Sequence, residues 1–195
     1  HSFPTRRSSD LRLGIETAHF AGHSLGGMIG PAYARRHPDR VLSLGLWSTA
    51  AFRTEDDSAK VKGVVAAMRS KGIPQVLETL KDRWFTPEFA ARRPDVITRR
   101  MQQVIDTDPE VFLSVFDIYA GTEMAPWIGR VAPPSLVLTG ENDGGCPPRL
   151  NQAIAQAMPR AELCVLPRLR HAILLEAADE VAPPVLSFLR QHAAA

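Results

Sequence analysis

"HFAGHSLGGMIG", residues 19–30, sets a serine among glycines, after a short apolar run and before small residues. Ala18-His19-Phe20-Ala21 is short, mostly apolar and ends at Gly22, as a buried strand does. Met28, Ile29, Ala32, Tyr33 and Ala34 then follow helical spacing, and the pattern stops near His37-Pro38. Pro31 falls early enough to sit in a first turn or to bend the helix. "RVLSLGLWS", residues 40–48, is a second apolar strand. Strand, tight turn, helix and strand make a parallel right-handed unit. Its turn carries Gly22-His23-Ser24-Leu25-Gly26, a G-x-S-x-G pattern. Such a turn strains the serine backbone and needs small residues two positions to either side. Ser24 then projects from the carboxyl end of the sheet. The Leu25 N–H, at the helix start, points to where charge would collect on an attacked carbonyl oxygen.

A serine hydroxyl is a poor nucleophile until a base takes its proton. For this turn the partners are expected later in the chain, in the order serine, acid, histidine. "LVLTGENDGGCPP" puts Asp143 just past a strand, with Glu141 and Asn142 as less well placed neighbours. "LPRLRHAILLEA" puts His171 between the last strand and the last helix, where it can reach over Ser24 while Asp143 holds its other ring nitrogen. His23, flanked by the glycines, suits local packing or hydrogen bonding better than a base role. His19, His37 and His192 have no such context.

The remaining chain supports one α/β domain with an insertion. Residues 52–128 lack strong strands. "SAKVKGVVAAMRSKG" reads as a helix ending at Gly72, "PQVLETLKDRWF" as a second started by Pro74, and residues 95–105 as a third. In "DPEVFLSVFDIYAG", Asp108 is the expected N-cap and Gly121 follows the end. Val111, Phe112, Val115, Phe116 and Tyr119 fall on one face. After Pro133-Pro134, residues 135–140 and 162–167 read as strands, and residues 149–158 and 172–190 as helices. The expected division is a core of 11–51 and 129–195, interrupted by a helical lid at 52–128.

Composition narrows the class. With 195 residues and 45% hydrophobic content, the chain can bury one sizeable core. Lys plus Arg total 23 against 21 Asp plus Glu, so no charge excess points to nucleic acid. Arg93, Arg99 and Arg100 are interleaved with acids and apolar residues and read as a solvated helix face. No apolar run approaches the roughly 20 residues of a membrane span. The two cysteines, Cys146 and Cys164, form no CxxC or Cys/His spacing, so neither a zinc site nor a disulfide framework is expected. The opening "HSFPTRRSSDL" has no periodicity, no initiator Met and no apolar middle; it resembles a translated sequencing-adapter junction, and residues 1–10 are expected to be a non-native leader.

Taken in order and on these elements, Ser24, Asp143 and His171 resemble the α/β-hydrolase superfamily from about residue 11 onward. "LKDRWFTPEFAARRPDVITRRMQQVIDTDPEVF" is similar to the lid of 3-oxoadipate enol-lactonases, enzymes of aromatic-ring degradation, whereas "GTEMAPWIGRVAPP" departs from it. The resemblance implies an α/β fold with a parallel sheet flanked by helices and a helical lid. It also implies a cofactor-free cytoplasmic enzyme, with the low cysteine count in keeping, that cleaves a small ester or lactone through a Ser-His-Asp triad. Trp84, Phe85 and Trp127 are candidates to line its pocket, although aromatic residues in a lid more often fill its core, and Arg83 is a candidate to meet a substrate carboxylate. Other members with the same nucleophile are carboxylesterases, carbon–carbon bond hydrolases and perhydrolases; an inert fragment or binding module would keep only the fold. Ser24 argues against a haloalkane dehalogenase, which needs a carboxylate there. The resemblance further implies that this is the C-terminal portion of a domain of about 250 residues or more. The missing first strands would carry a His-Gly loop, whose oxyanion N–H is worth about 3 kcal/mol. No oligomeric state follows from these features.

Overall fold

The computed structural model describes residues 13–193; the expected leader at 1–10 lies outside them. Four strands pair among the described residues: β1 (Ala18–His23), β2 (Val41–Trp47), β3 (Ser135–Gly140) and β4 (Ala161–Leu166). They lie in the order β1-β2-β3-β4, and every pair is parallel. Phe20 pairs with Leu44, Leu46 with Val137, and Leu138 with Cys164.

Parallel neighbours need crossovers. Helix α1 (Leu25–Arg36) joins β1 to β2, and α7 (Pro148–Ala157) joins β3 to β4. The alternation of a strand decides which layer each side chain joins. Val137 packs with Phe20, Met28, Leu44, Leu150 and Ile154 under α1 and α7. Leu136 and Leu138, its neighbours on β3, point the other way and pack with Ile173, Val181 and Phe188. Burying each such side chain is worth about 1.5–3 kcal/mol, so β3, buried along its whole length, anchors both layers.

Between β2 and β3 the chain forms α2 (Glu55–Lys71), α3 (Ile73–Trp84), α4 (Pro87–Arg92), α5 (Pro94–Ile105) and α6 (Pro109–Gly121). Thr54 and Asp57 start α2 with a reciprocal capping box, and Asp108 caps α6 through the amides of Glu110 and Val111. Met68, Leu77, Leu80, Phe89, Met101 and Leu113 give these helices a hydrophobic cluster of their own.

Two local expectations need correction, and one helix lies outside them. Pro31 is the seventh residue of α1, mid-helix, where its ring removes the amide that would bond to the Gly27 carbonyl. The closing helix is two pieces, α8 (Ile173–Glu176) and α9 (Ala178–Gln191). Ala177 leaves the helical region at φ −142°, ψ 48°, and the Glu176 carboxylate bonds to Thr86. Helix α4 was not anticipated, although Thr86-Pro87 is a cap followed by a first-turn proline.

Candidate active site

The predicted nucleophile sits where β1 meets α1. Ser24 has φ 56° and ψ −118°, a conformation costing on the order of 1–3 kcal/mol in a residue with a side chain. Three hydrogen bonds hold it there. Its N–H donates to the Trp47 carbonyl at 2.8 Å, and its own carbonyl accepts from the Gly27 N–H at 3.0 Å and the Thr49 hydroxyl at 2.8 Å. A Cβ on Gly22 would lie 2.2 Å from the Gly26 backbone, so position 22 must be glycine. A Cβ on Gly26 would meet nothing within 4 Å, so the smallness expected on both sides is required on one. The Leu25 N–H opens α1, and a first-turn amide has no carbonyl of its own helix to bond.

Asp143 follows β3 in a tight turn and is 2% exposed. Its Oδ1 accepts the N–H groups of Gly145 and Cys146, each at 2.8 Å. Its Oδ2 lies 2.8 Å from His171 Nδ1. Burial alone would raise the Asp143 pKa, but these hydrogen bonds and the His171 charge outweigh it, and the carboxyl is held below its ordinary value. For His171 burial works downward, while bonding to Asp143 and Cys146 works upward and prevails, so its pKa is raised. Glu141 and Asn142 have a different task. The Glu141 carboxylate accepts the Arg168 N–H, and the Asn142 side chain donates to the Arg168 carbonyl, lacing the β3 turn to the loop that carries His171.

That loop is also tied to the elbow and to the inserted helices. His23 Nε2 lies 2.7 Å from the His171 carbonyl; a carbonyl only accepts, so His23 donates. Burial, then the neighbouring His171 charge, pushes the His23 pKa down to about 4, which keeps it neutral. Arg170 donates from Nη1 to the carbonyls of Asp82 and Phe85 at the end of α3, and the Ala172 N–H donates to the Trp84 carbonyl at 2.8 Å. Arginine in this position satisfies carbonyls that a helix end leaves open.

Ser24, Leu25 and His171 line one cavity of about 340 Å³, within the size range of small-molecule sites. The inserted helices close it with Val64, Leu80, Arg83, Trp84, Phe116 and Tyr119. Phe85 does not line it: it is buried in the helical cluster, stacked on Phe89 with centroids 5.8 Å apart. Trp127 does not either; it packs on the sheet cluster under the Arg35 guanidinium. The apolar face of α6 is divided: Phe112 and Phe116 pack against the helical cluster and Tyr119 against the sheet cluster. Val111 and Val115 are exposed, Leu113 is the buried residue, and Val115, Phe116 and Tyr119 face the cavity. Sequence reasoning missed Arg53 and Cys146 in the lining. Arg53 gives no periodic signal, and no spacing along the chain marks Cys146 as part of a site.

Comparisons with known proteins bear on the fold. The family described as alpha/beta hydrolase fold matches residues 11–178. The chain is 31% identical over 185 residues to a dihydrolipoyllysine-residue acetyltransferase component of an acetoin cleaving system from Pseudomonas putida, covering 92% of this chain and 47% of that protein. It is 28% identical over 131 residues to 3-oxoadipate enol-lactonase 2 of Acinetobacter baylyi, covering 67% of this chain and 48% of that enzyme. The chain thus spans about half the length of these relatives. The crystal structure of the enol-lactonase from Burkholderia xenovorans LB400 superposes with a TM-score of 0.85 at 27% identity, over 94% of this chain and 70% of that one. By the extent of the family match, and with a parallel sheet flanked by helices, this chain belongs to the α/β-hydrolase fold family.

Proposed function

We propose that the protein is a serine hydrolase acting on a small ester or lactone. His171 takes the Ser24 proton as Ser24 Oγ attacks the substrate carbonyl; Asp143 fixes the tautomer and offsets the imidazolium charge. The Leu25 N–H receives the oxyanion. His171 then protonates the departing alcohol, and water activated by the same base cleaves the acyl-enzyme. With a lactone the alcohol stays tethered to the acyl group, so product leaves only after the second step. Residues 52–128 serve as the lid that shapes the cavity and excludes water, with Trp84 as the aromatic wall.

The observation that carries this reading is the 2.8 Å contact between His171 Nδ1 and Asp143 Oδ2 at a cavity that Ser24 also lines. Relatives that include an enol-lactonase support the ester or lactone class. A fluorophosphonate probe tests it. The folded chain is expected to label, and Ser24→Ala to abolish labelling; a folded chain that does not label, or a variant that still does, refutes the proposal. Lactones and p-nitrophenyl esters, compared as substrates, then separate lactonase from carboxylesterase.

A further inference from the structure

The cavity wall holds a thiol that this hydrolysis does not use. Cys146 comes three residues after Asp143, is 1% exposed, and has its Sγ 3.2 Å from the Tyr119 hydroxyl. A carboxylate oxygen of Asp143, the Cys146 Sγ and a ring nitrogen of His171 all lie within 4.8 Å of one another. Three ligands of O, S and N type form a zinc-type donor set, whose fourth position water would take. A thiolate favours zinc or cadmium over magnesium or calcium.

We propose that Asp143, Cys146 and His171 form an inhibitory site for a thiophilic divalent cation of the zinc and cadmium class. Thiolate and carboxylate bring two negative charges to the cation, and neutral imidazole completes the set. The Cys146 proton leaves to solvent; where Nδ1 is the ligand, its proton moves to Nε2 and the imidazole stays neutral. Bonds of about 2.0–2.3 Å place tetrahedral ligands roughly 3.5 Å apart, so separations of up to 4.8 Å must close while the 2.8 Å contact between His171 Nδ1 and Asp143 Oδ2, if both are ligands, must widen. Gly144 and Gly145, between the first two ligands, let the turn follow. Either ring nitrogen suffices for inhibition. Coordination at Nε2 consumes the lone pair that accepts the Ser24 proton, and coordination at Nδ1 breaks the bond to Asp143. The inhibitory consequence rests on the proposed hydrolase function; the site itself does not.

Cadmium titration of the metal-free chain tests both parts. The expected result is a saturable thiolate-to-cadmium charge-transfer band at one ion per chain, lost in Cys146→Ser and retained in Cys164→Ser. Fluorophosphonate labelling should fall about 100-fold with the same midpoint, the scale of losing a general base, and a chelator should restore it. No band, or a band that survives Cys146→Ser, overturns the site. A full band with labelling unchanged overturns inhibition. A chain that never labels even without metal refutes the hydrolase reading, while the band still decides the site.

Discussion

Asp143→Asn probes the proposed mechanism most sharply, because the substitution keeps shape and changes one proton. Asp143 Oδ1 takes two backbone N–H groups at 2.8 Å, and Oδ2 takes His171 Nδ1 at 2.8 Å. An asparagine can keep its oxygen on the two amides, leaving no buried donor unpaired. Its NH₂ then faces Nδ1, which must become the unprotonated nitrogen, so the proton moves to Nε2 and the base is lost. The expected loss is about 10⁴-fold in the rate of ester hydrolysis, roughly 5 kcal/mol of transition-state stabilisation. Folding should change far less. One charge-assisted bond becomes neutral, about 1–2 kcal/mol, or a fall in Tm of about 2–8 °C for a chain of this size. Initial-rate hydrolysis of a p-nitrophenyl ester and thermal unfolding by circular dichroism measure the two quantities. A folded variant that retains more than about a tenth of the rate refutes the assignment of Asp143 as the group orienting His171.

Three further outcomes follow from the same geometry. Gly22→Ala drives a Cβ to 2.2 Å from the Gly26 backbone and should cost about 3 kcal/mol or more in chemical denaturation. Gly26→Ala meets open space and should stay within about 1 kcal/mol of the parent. The His171 pKa is raised above 6.5, so its ion pair with Asp143 stabilises fully below 6.5 and fades as pH rises through the raised value; that of Asp143 is lowered below 3.8, so its share fades only as pH falls beneath that. Labelling of Ser24 needs neutral His171, so its rate should climb across the alkaline range where the Tm gap between parent and Asp143→Asn closes; a gap that widens there contradicts the pairing. Arg170→Met removes the donor to the Asp82 and Phe85 carbonyls; labelling should slow about tenfold and exchange at the end of α3 should rise. Arg170→Lys should restore part of both, and a normal labelling rate in Arg170→Met would show that the loop keeps its place without the clamp.

Local chemistry was legible from the chain itself. Gly22-His23-Ser24-Leu25-Gly26 between an apolar run and a helical pattern specifies its own turn, because the clash that demands Gly22 involves residues four apart. The order of strands and helices, the Asp108 cap and the positions of Ser24, Asp143 and His171 past the ends of strands could be read for the same reason: near neighbours signal each. Tertiary contacts decided the rest. Whether the apolar face of α6 meets core, solvent or cavity depends on what packs opposite, and periodicity describes only the helix. The same holds for Phe85 and Trp127, whose apolar character suits a core as well as a pocket. No spacing of Asp143, Cys146 and His171 along the chain suggests a donor set, since His171 arrives from beyond β4. The Arg170 clamp joins residues 85 or more positions apart. Contacts at that separation leave no periodic trace, because folding, not chain connectivity, brings them together.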